Sequence, residues 1–99
     1  MKTRIETDGN SAVIHVSGRL DSVTAPLFDT QISAAVDSDR DLAIDCSELE
    51  YISSAGLRSF ITVLKRTKAE GRTLTVSSLS PAIRTIFDMT GFTGIFKIN

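Results

Sequence analysis

Several residue types are scarce in this chain of 99 residues, and each scarcity excludes a class of protein. A single cysteine, Cys46, excludes an internal disulfide, and with a single histidine, His15, it leaves no recognisable set of metal ligands. No apolar run approaches the ~20 residues of a membrane-spanning helix, and the amino terminus lacks the apolar core of a signal peptide. The net charge of −1 gives no basic surface for nucleic acid or for an anionic membrane. We therefore expect one cytoplasmic domain over residues 1–99, with neither a metal nor a cofactor.

The chain does contain a regular succession of strand and helix patterns. Residues 2–7 and 11–17 flank the turn signal Asp8-Gly9-Asn10, which predicts a hairpin. Further strands are predicted at residues 42–46, 73–77 and 95–98. Three helices are predicted: one entered through Thr24 and Pro26, one from Gly56 to Gly71, and one opened by Ser80-Pro81 that ends before Gly91. This order predicts α/β layers with parallel crossovers after the hairpin.

The central stretch, residues 42–68, carries the strongest functional signal. A buried strand pattern leads through Ser53-Ser54-Ala55-Gly56 into an amphipathic helix whose apolar face holds Leu57. Hydroxyl groups and a glycine therefore lie at a helix N-terminus, where unpaired N–H groups favour an anion or a phosphate.

Two interpretations of this turn remain open. In the first, Ser53 or Ser54 simply caps the helix, as serine commonly does. However, one cap suffices, and Gly56 in a first helical turn costs up to about 1 kcal/mol relative to alanine. A glycine there permits close approach of another backbone or of a phosphate. Asp21, after the second strand, is either a turn or Asx-type cap residue, or part of a site at the carboxyl edge of the sheet.

The other candidates have simple structural interpretations. His15 is expected to be a structural or surface residue, Cys46 a buried apolar side chain, and Met89 a core residue. Arg58 belongs to an exposed helix surface. The Gly-x-Ser-x-Gly pattern of hydrolases is absent and no general base is identifiable, so an enzyme that uses Ser54 as nucleophile is disfavoured.

Four stretches resemble, in kind and order, sequences of the STAS domain family, specifically the bacterial anti-sigma factor antagonists. They are residues 16–21, 44–57, 80–83 and 86–91. The resemblance implies a mixed, mostly parallel sheet of four to five strands, flanked by helices and with the first strand at an antiparallel edge. It also implies a monomer that switches partners: it binds a serine kinase that doubles as an anti-sigma factor, until the kinase phosphorylates it. A metal-dependent serine phosphatase then restores binding.

The resemblance also assigns residues to these roles. Ser54, two residues before the motif glycine, is the implied phosphoacceptor, and Asp21 matches the family's acidic residue after the second strand. The implied partner-binding residues are Asp21, Ser53, Ser54, Ala55, Gly56, Leu57 and Arg58. Ser53 replaces a frequent aspartate, and Ala55 replaces a second hydroxyl residue. The alternatives are an interaction domain that is never phosphorylated, and a switch with a different output, such as secretion.

Overall fold

The structure, a computed structural model, describes all 99 residues. The strands are β1 (Lys2–Asp8), β2 (Ser11–Leu20), β3 (Asp41–Ile52), β4 (Leu74–Ser77) and β5 (Lys97–Ile98). The helices are α1 (Ala25–Val36), α2 (Ser54–Ala69) and α3 (Pro81–Met89), and a 3₁₀ turn at Phe92–Gly94 precedes β5. No helix combines the length and the apolar character that crossing a membrane requires.

The five strands form one mixed sheet in the order β1-β2-β3-β4-β5. β1 pairs antiparallel with β2, and the remaining neighbours are parallel. Ile14 of β2 lies opposite Ile5 on one side and Ile44 on the other, so apolar side chains form a continuous row on one face. The predicted fold class, with its antiparallel edge hairpin, is confirmed.

All three helices pack on that same face of the sheet. Alternate residues of the central strands are buried there, and they join the helices in one apolar cluster. Phe60 of α2 lies at its centre, with its ring centroid 5.9 Å from that of Phe28 and 6.1 Å from that of Phe87. The opposite face has no helix over it and carries half-buried polar side chains such as His15 and Asp45.

The central strands continue past their predicted ends. β2 runs to Leu20, and β3 ends at Ile52 rather than at residue 46. Register shifts between β2 and β3 insert extra residues into β3, so its last buried positions, Cys46, Leu49 and Ile52, are spaced by three instead of two. These irregularities erase the period-two pattern on which strand prediction depends, although the pairing continues.

Several local expectations are corrected. Met89 is 81 % exposed rather than part of the core, because it lies about 200° around α3 from the buried Phe87. Leu27, which the apolar spacing of the first helix places on its buried face, is instead 49 % exposed. α2 begins at Ser54, two residues before the predicted start at Gly56. The Thr24 side chain does not cap α1, although Pro26 is in the first turn as expected.

Candidate functional site at the carboxyl edge of the sheet

The ends of β2 and β3 bring the two predicted site segments together. Leu20 and Ile52, the last residues of these parallel strands, are paired in register. The Ser53 N–H donates a 2.9 Å hydrogen bond to the carbonyl of Leu20, which extends the pairing by one residue. Asp21 and Ser54 therefore both follow directly from one edge of the sheet, the edge where open α/β sheets place their sites.

The two serines at this edge differ in accessibility. Ser53 is the N-cap of α2, with extended backbone angles, and its hydroxyl oxygen is buried without a hydrogen-bond partner. Ser54 is the first residue of α2, is exposed, and makes no side-chain hydrogen bond. Neither hydroxyl caps the helix, so capping does not explain the serine pair. By contrast, Ser80 at the start of α3 accepts a hydrogen bond from the Ile83 N–H.

Gly56 is required by close packing beneath the site. A Cβ at this position would lie 2.8 Å from Cγ1 of Ile52 and 2.9 Å from the carbonyl oxygen of Leu20. The close approach permitted by this glycine is therefore that of the β2 backbone, not that of a phosphate. Leu57 is also buried, at 4 % exposure. Gly56 and Leu57, both predicted as partner-binding residues, are thus buried and support the turn from the core side.

Asp21 forms an Asx-type turn in the connection that leads into α1. One carboxylate oxygen, Oδ1, accepts hydrogen bonds from the backbone N–H groups of Val23, at 3.0 Å, and Thr24, at 3.1 Å. The bond from the Thr24 N–H is the main reason that the pKa of Asp21 lies below its ordinary value. This is the Asx-type arrangement that the sequence left open. The second oxygen accepts no hydrogen bond.

A groove of about 440 Å³ runs between α1 and α2 beside this edge. Pro26 and Asp29 line it from α1, and Ala55 and Arg58 line it from α2. Val23, just before α1, is 83 % exposed. Sequence analysis missed Val23, because a single apolar residue in a connection carries no periodic signal.

His15 belongs to a separate polar cluster on the open face. Its Nδ1 lies 2.7 Å from an oxygen of Asp45, and its Nε2 lies 2.9 Å from an oxygen of Glu6. The predicted structural role of His15 is confirmed, since it links β1, β2 and β3. Leu20 is five positions beyond His15, a distance of about 17 Å along a strand. His15 is thus too far from Ser54 to act as its general base.

Cys46 provides no alternative nucleophile. It is fully buried in the core, as predicted. Burial raises the pKa of its thiol to about 12, and the neighbouring Asp45 carboxylate acts in the same direction. The thiolate is therefore disfavoured at neutral pH.

Comparison with known proteins agrees with this arrangement. The family described as "Mlab, STAS domain" matches residues 3–98. This chain belongs to the STAS domain family. Two curated relatives carry related names. BtrV of Bordetella bronchiseptica is 30 % identical over 99 residues, covering 99 % of this chain and 85 % of BtrV. Its name describes it as an anti-sigma factor antagonist. The anti-sigma-B factor antagonist of Bacillus subtilis is 26 % identical, covering 96 % and 87 %.

Solved structures agree with the STAS assignment. An anti-sigma factor antagonist from Mycobacterium paratuberculosis is 33 % identical and superposes with a TM-score of 0.87, covering 98 % of this STAS domain and 83 % of that chain. The phosphorylated form of SpoIIAA, a cell fate determinant of Bacillus, has a TM-score of 0.75 at 18 % identity, covering 99 % and 91 %. At that identity the second likeness concerns the fold alone.

Proposed function

We propose that this STAS domain, acting as one unit over residues 1–99, is an anti-sigma factor antagonist that works by partner switching. The unphosphorylated form binds a serine kinase that is also the anti-sigma factor, and this binding frees the client. The kinase transfers a phosphate from ATP to Ser54, which ends the complex, and a metal-dependent serine phosphatase restores it. The names of the relatives support this role. The need for ATP places the switch in the cytoplasm.

The exposed hydroxyl of Ser54 is the observation that carries the proposal. A kinase must reach the acceptor oxygen with a bound nucleotide, so the acceptor has to be accessible and free of competing hydrogen bonds. Ser54 meets both conditions, whereas the hydroxyl of Ser53 is buried. The position also suits the product, because the N–H groups and the dipole at a helix N-terminus stabilise an added negative charge.

The proposed contact surface surrounds Ser54. It consists of Ala55 and Arg58 on α2, together with the free carboxylate oxygen of Asp21. Val23 and Leu27, both exposed beside the same edge, supply apolar area, which kinase docking would bury. Ser53 contributes its backbone to the shape of the turn. Such a module acts by binding and needs no catalytic residue of its own.

Phosphorylation by the cognate kinase tests the proposal. The protein is incubated with the candidate kinase and ATP, and its intact mass and phosphopeptides are measured. We expect a single phosphate, located on Ser54, that is absent from Ser54→Ala and retained in the matched control Ser53→Ala. Label on Ser53, or label that persists in Ser54→Ala, would refute the acceptor assignment. An unmodified protein that still binds the kinase would instead favour an interaction domain without phosphorylation.

A further inference from the structure

Few acidic side chains lie near Ser54. The first turn of α2 contains no acidic residue, so no carboxylate on that turn opposes a phosphate. The carboxylate of Asp21 accepts hydrogen bonds from the N–H groups of Val23 and Thr24, just before α1. Across the groove, Asp29 of α1 is the remaining acidic side chain that lines it.

Arg58 is an uncommitted cation close to this position. It is exposed and makes neither an ion pair nor a side-chain hydrogen bond. Two other arginines have partners: Arg66 pairs with Asp37 at 2.8 Å, and the guanidinium of Arg19 lies 4.3 Å from the ring centre of Tyr51. Arg58 shares its groove with Asp29 but does not pair with it.

Helix geometry directs Arg58 towards Ser54. The two residues are four apart on α2, which places their Cβ atoms about 5–6 Å from each other. Side chains on a helix also tilt towards its N-terminus and cover the preceding turn. The long side chain of Arg58 therefore reaches the space into which a group attached to Ser54 would project.

We propose that Arg58 is the positioning residue that holds the phosphate of phosphorylated Ser54 against α2. The inference rests on the proposed function, because it concerns the modified state of the same serine. A phosphate carries about −1.5 to −2 charges and accepts two parallel bonds from a guanidinium, so it outcompetes the single charge of Asp29. Phosphorylation thus adds a negative group and also withdraws Arg58 from the surface that meets the kinase.

The pair has a spectroscopic consequence. A guanidinium beside the phosphate favours its dianion and lowers the second pKa of the phosphoserine. Phosphoserine can be incorporated at position 54 during translation, so the measurement does not depend on a kinase. The second pKa is then read from a ³¹P NMR titration of the intact protein.

We expect Arg58→Gln to raise that pKa by about half a unit or more, and Arg58→Lys to keep part of the effect. Arg66→Gln, on the same helix but beyond reach of Ser54, serves as the matched control and leaves the value unchanged. Equal values in the wild type and Arg58→Gln would overturn the inference and assign any lowering to the helix N-terminus alone. Failure of the kinase to modify Ser54 would overturn the proposed function without affecting this titration.

Discussion

At the scale of single residues, two serines occupy N-cap positions but differ in their bonding. The Ser80 hydroxyl accepts a hydrogen bond from the N–H at the third position of α3, whereas the buried Ser53 hydroxyl has no partner. We expect Ser80→Ala to lower the free energy of unfolding by about 1 kcal/mol through the loss of the cap. Ser53→Ala should change it by less than about half that amount, because no bond is lost.

Urea unfolding of the two serine variants checks this difference. Each variant is the other's control, since both remove one hydroxyl from a helix start. Equal losses of stability would contradict it, and would indicate that Ser53 caps α2 in solution.

Gly56 is the residue on which the shape of the turn depends. Alanine is the better helix former by about 1 kcal/mol, so an exposed Gly→Ala change in a helix stabilises. At Gly56 the added methyl meets Leu20 and Ile52 at less than 3.0 Å, and we expect a net loss of about 1–3 kcal/mol. Gly94, whose added Cβ would meet nothing within 4 Å, is the matched control. Thermal unfolding that leaves Gly56→Ala as stable as Gly94→Ala would show that the turn tolerates displacement.

At the scale of elements, His15 and two carboxylates join the first three strands on the open face. Partial burial alone would raise the pKa of Asp45, but hydrogen bonds from the Ser47 N–H and from His15 outweigh it and lower that pKa. The folded state therefore binds a proton at Asp45 less readily than the unfolded state. The resulting stabilisation is present above the ordinary aspartate pKa and is lost as the pH falls through the lowered value.

Asp45→Asn should accordingly weaken the acid dependence of stability. We expect the wild type to lose more free energy of unfolding between about pH 5 and pH 2 than this variant does. Asp29→Asn, an exposed change on α1 without an ion pair, is the control and should retain the wild-type dependence. Parallel pH profiles for the wild type and Asp45→Asn would contradict the assigned role of the cluster.

The success of sequence analysis also differed from element to element. Regular patterns and local stop signals predicted the hairpin, α3 with its Ser80 cap, and the end of α2 before Gly71, which has a positive φ of 70°. The extension of β3 to Ile52 was missed because its register shifts depend on β2. The pairing of His15 with Asp45 was missed for a related reason: residues 30 positions apart meet only once the parallel register is known.

The candidate site was predicted in position but not in detail. The order of the elements predicted that Asp21 and Ser54 follow the carboxyl ends of two parallel strands, and β2 and β3 do end together. The family resemblance added the roles of the residues around them. It could not distinguish contact residues from supporting ones, because the burial of Gly56 and Leu57 depends on packing against Leu20 and the core. The Asx-type turn at Asp21 was one of the alternatives, and only its hydrogen bonds to Val23 and Thr24 show it.

At the scale of the whole molecule, the proposed switch acts through charge on a preformed surface. The chain has a net charge of −1, so a phosphate of about −1.5 to −2 charges more than doubles it. Ser54 is exposed at the start of a helix packed against the sheet, so we expect the domain to accommodate the group without rearranging its backbone. Burial of the same group in a complex shaped for a hydroxyl would leave its charge without a partner.

The most direct test of this account is the affinity of the cognate kinase for the protein with and without phosphate on Ser54, measured by titration under identical salt conditions. We predict that phosphorylation weakens binding at least tenfold, or by about 1.4 kcal/mol or more, because the charge cannot be solvated in the complex. Equal affinities for the two forms would contradict the central claim that phosphorylation of Ser54 ends the complex.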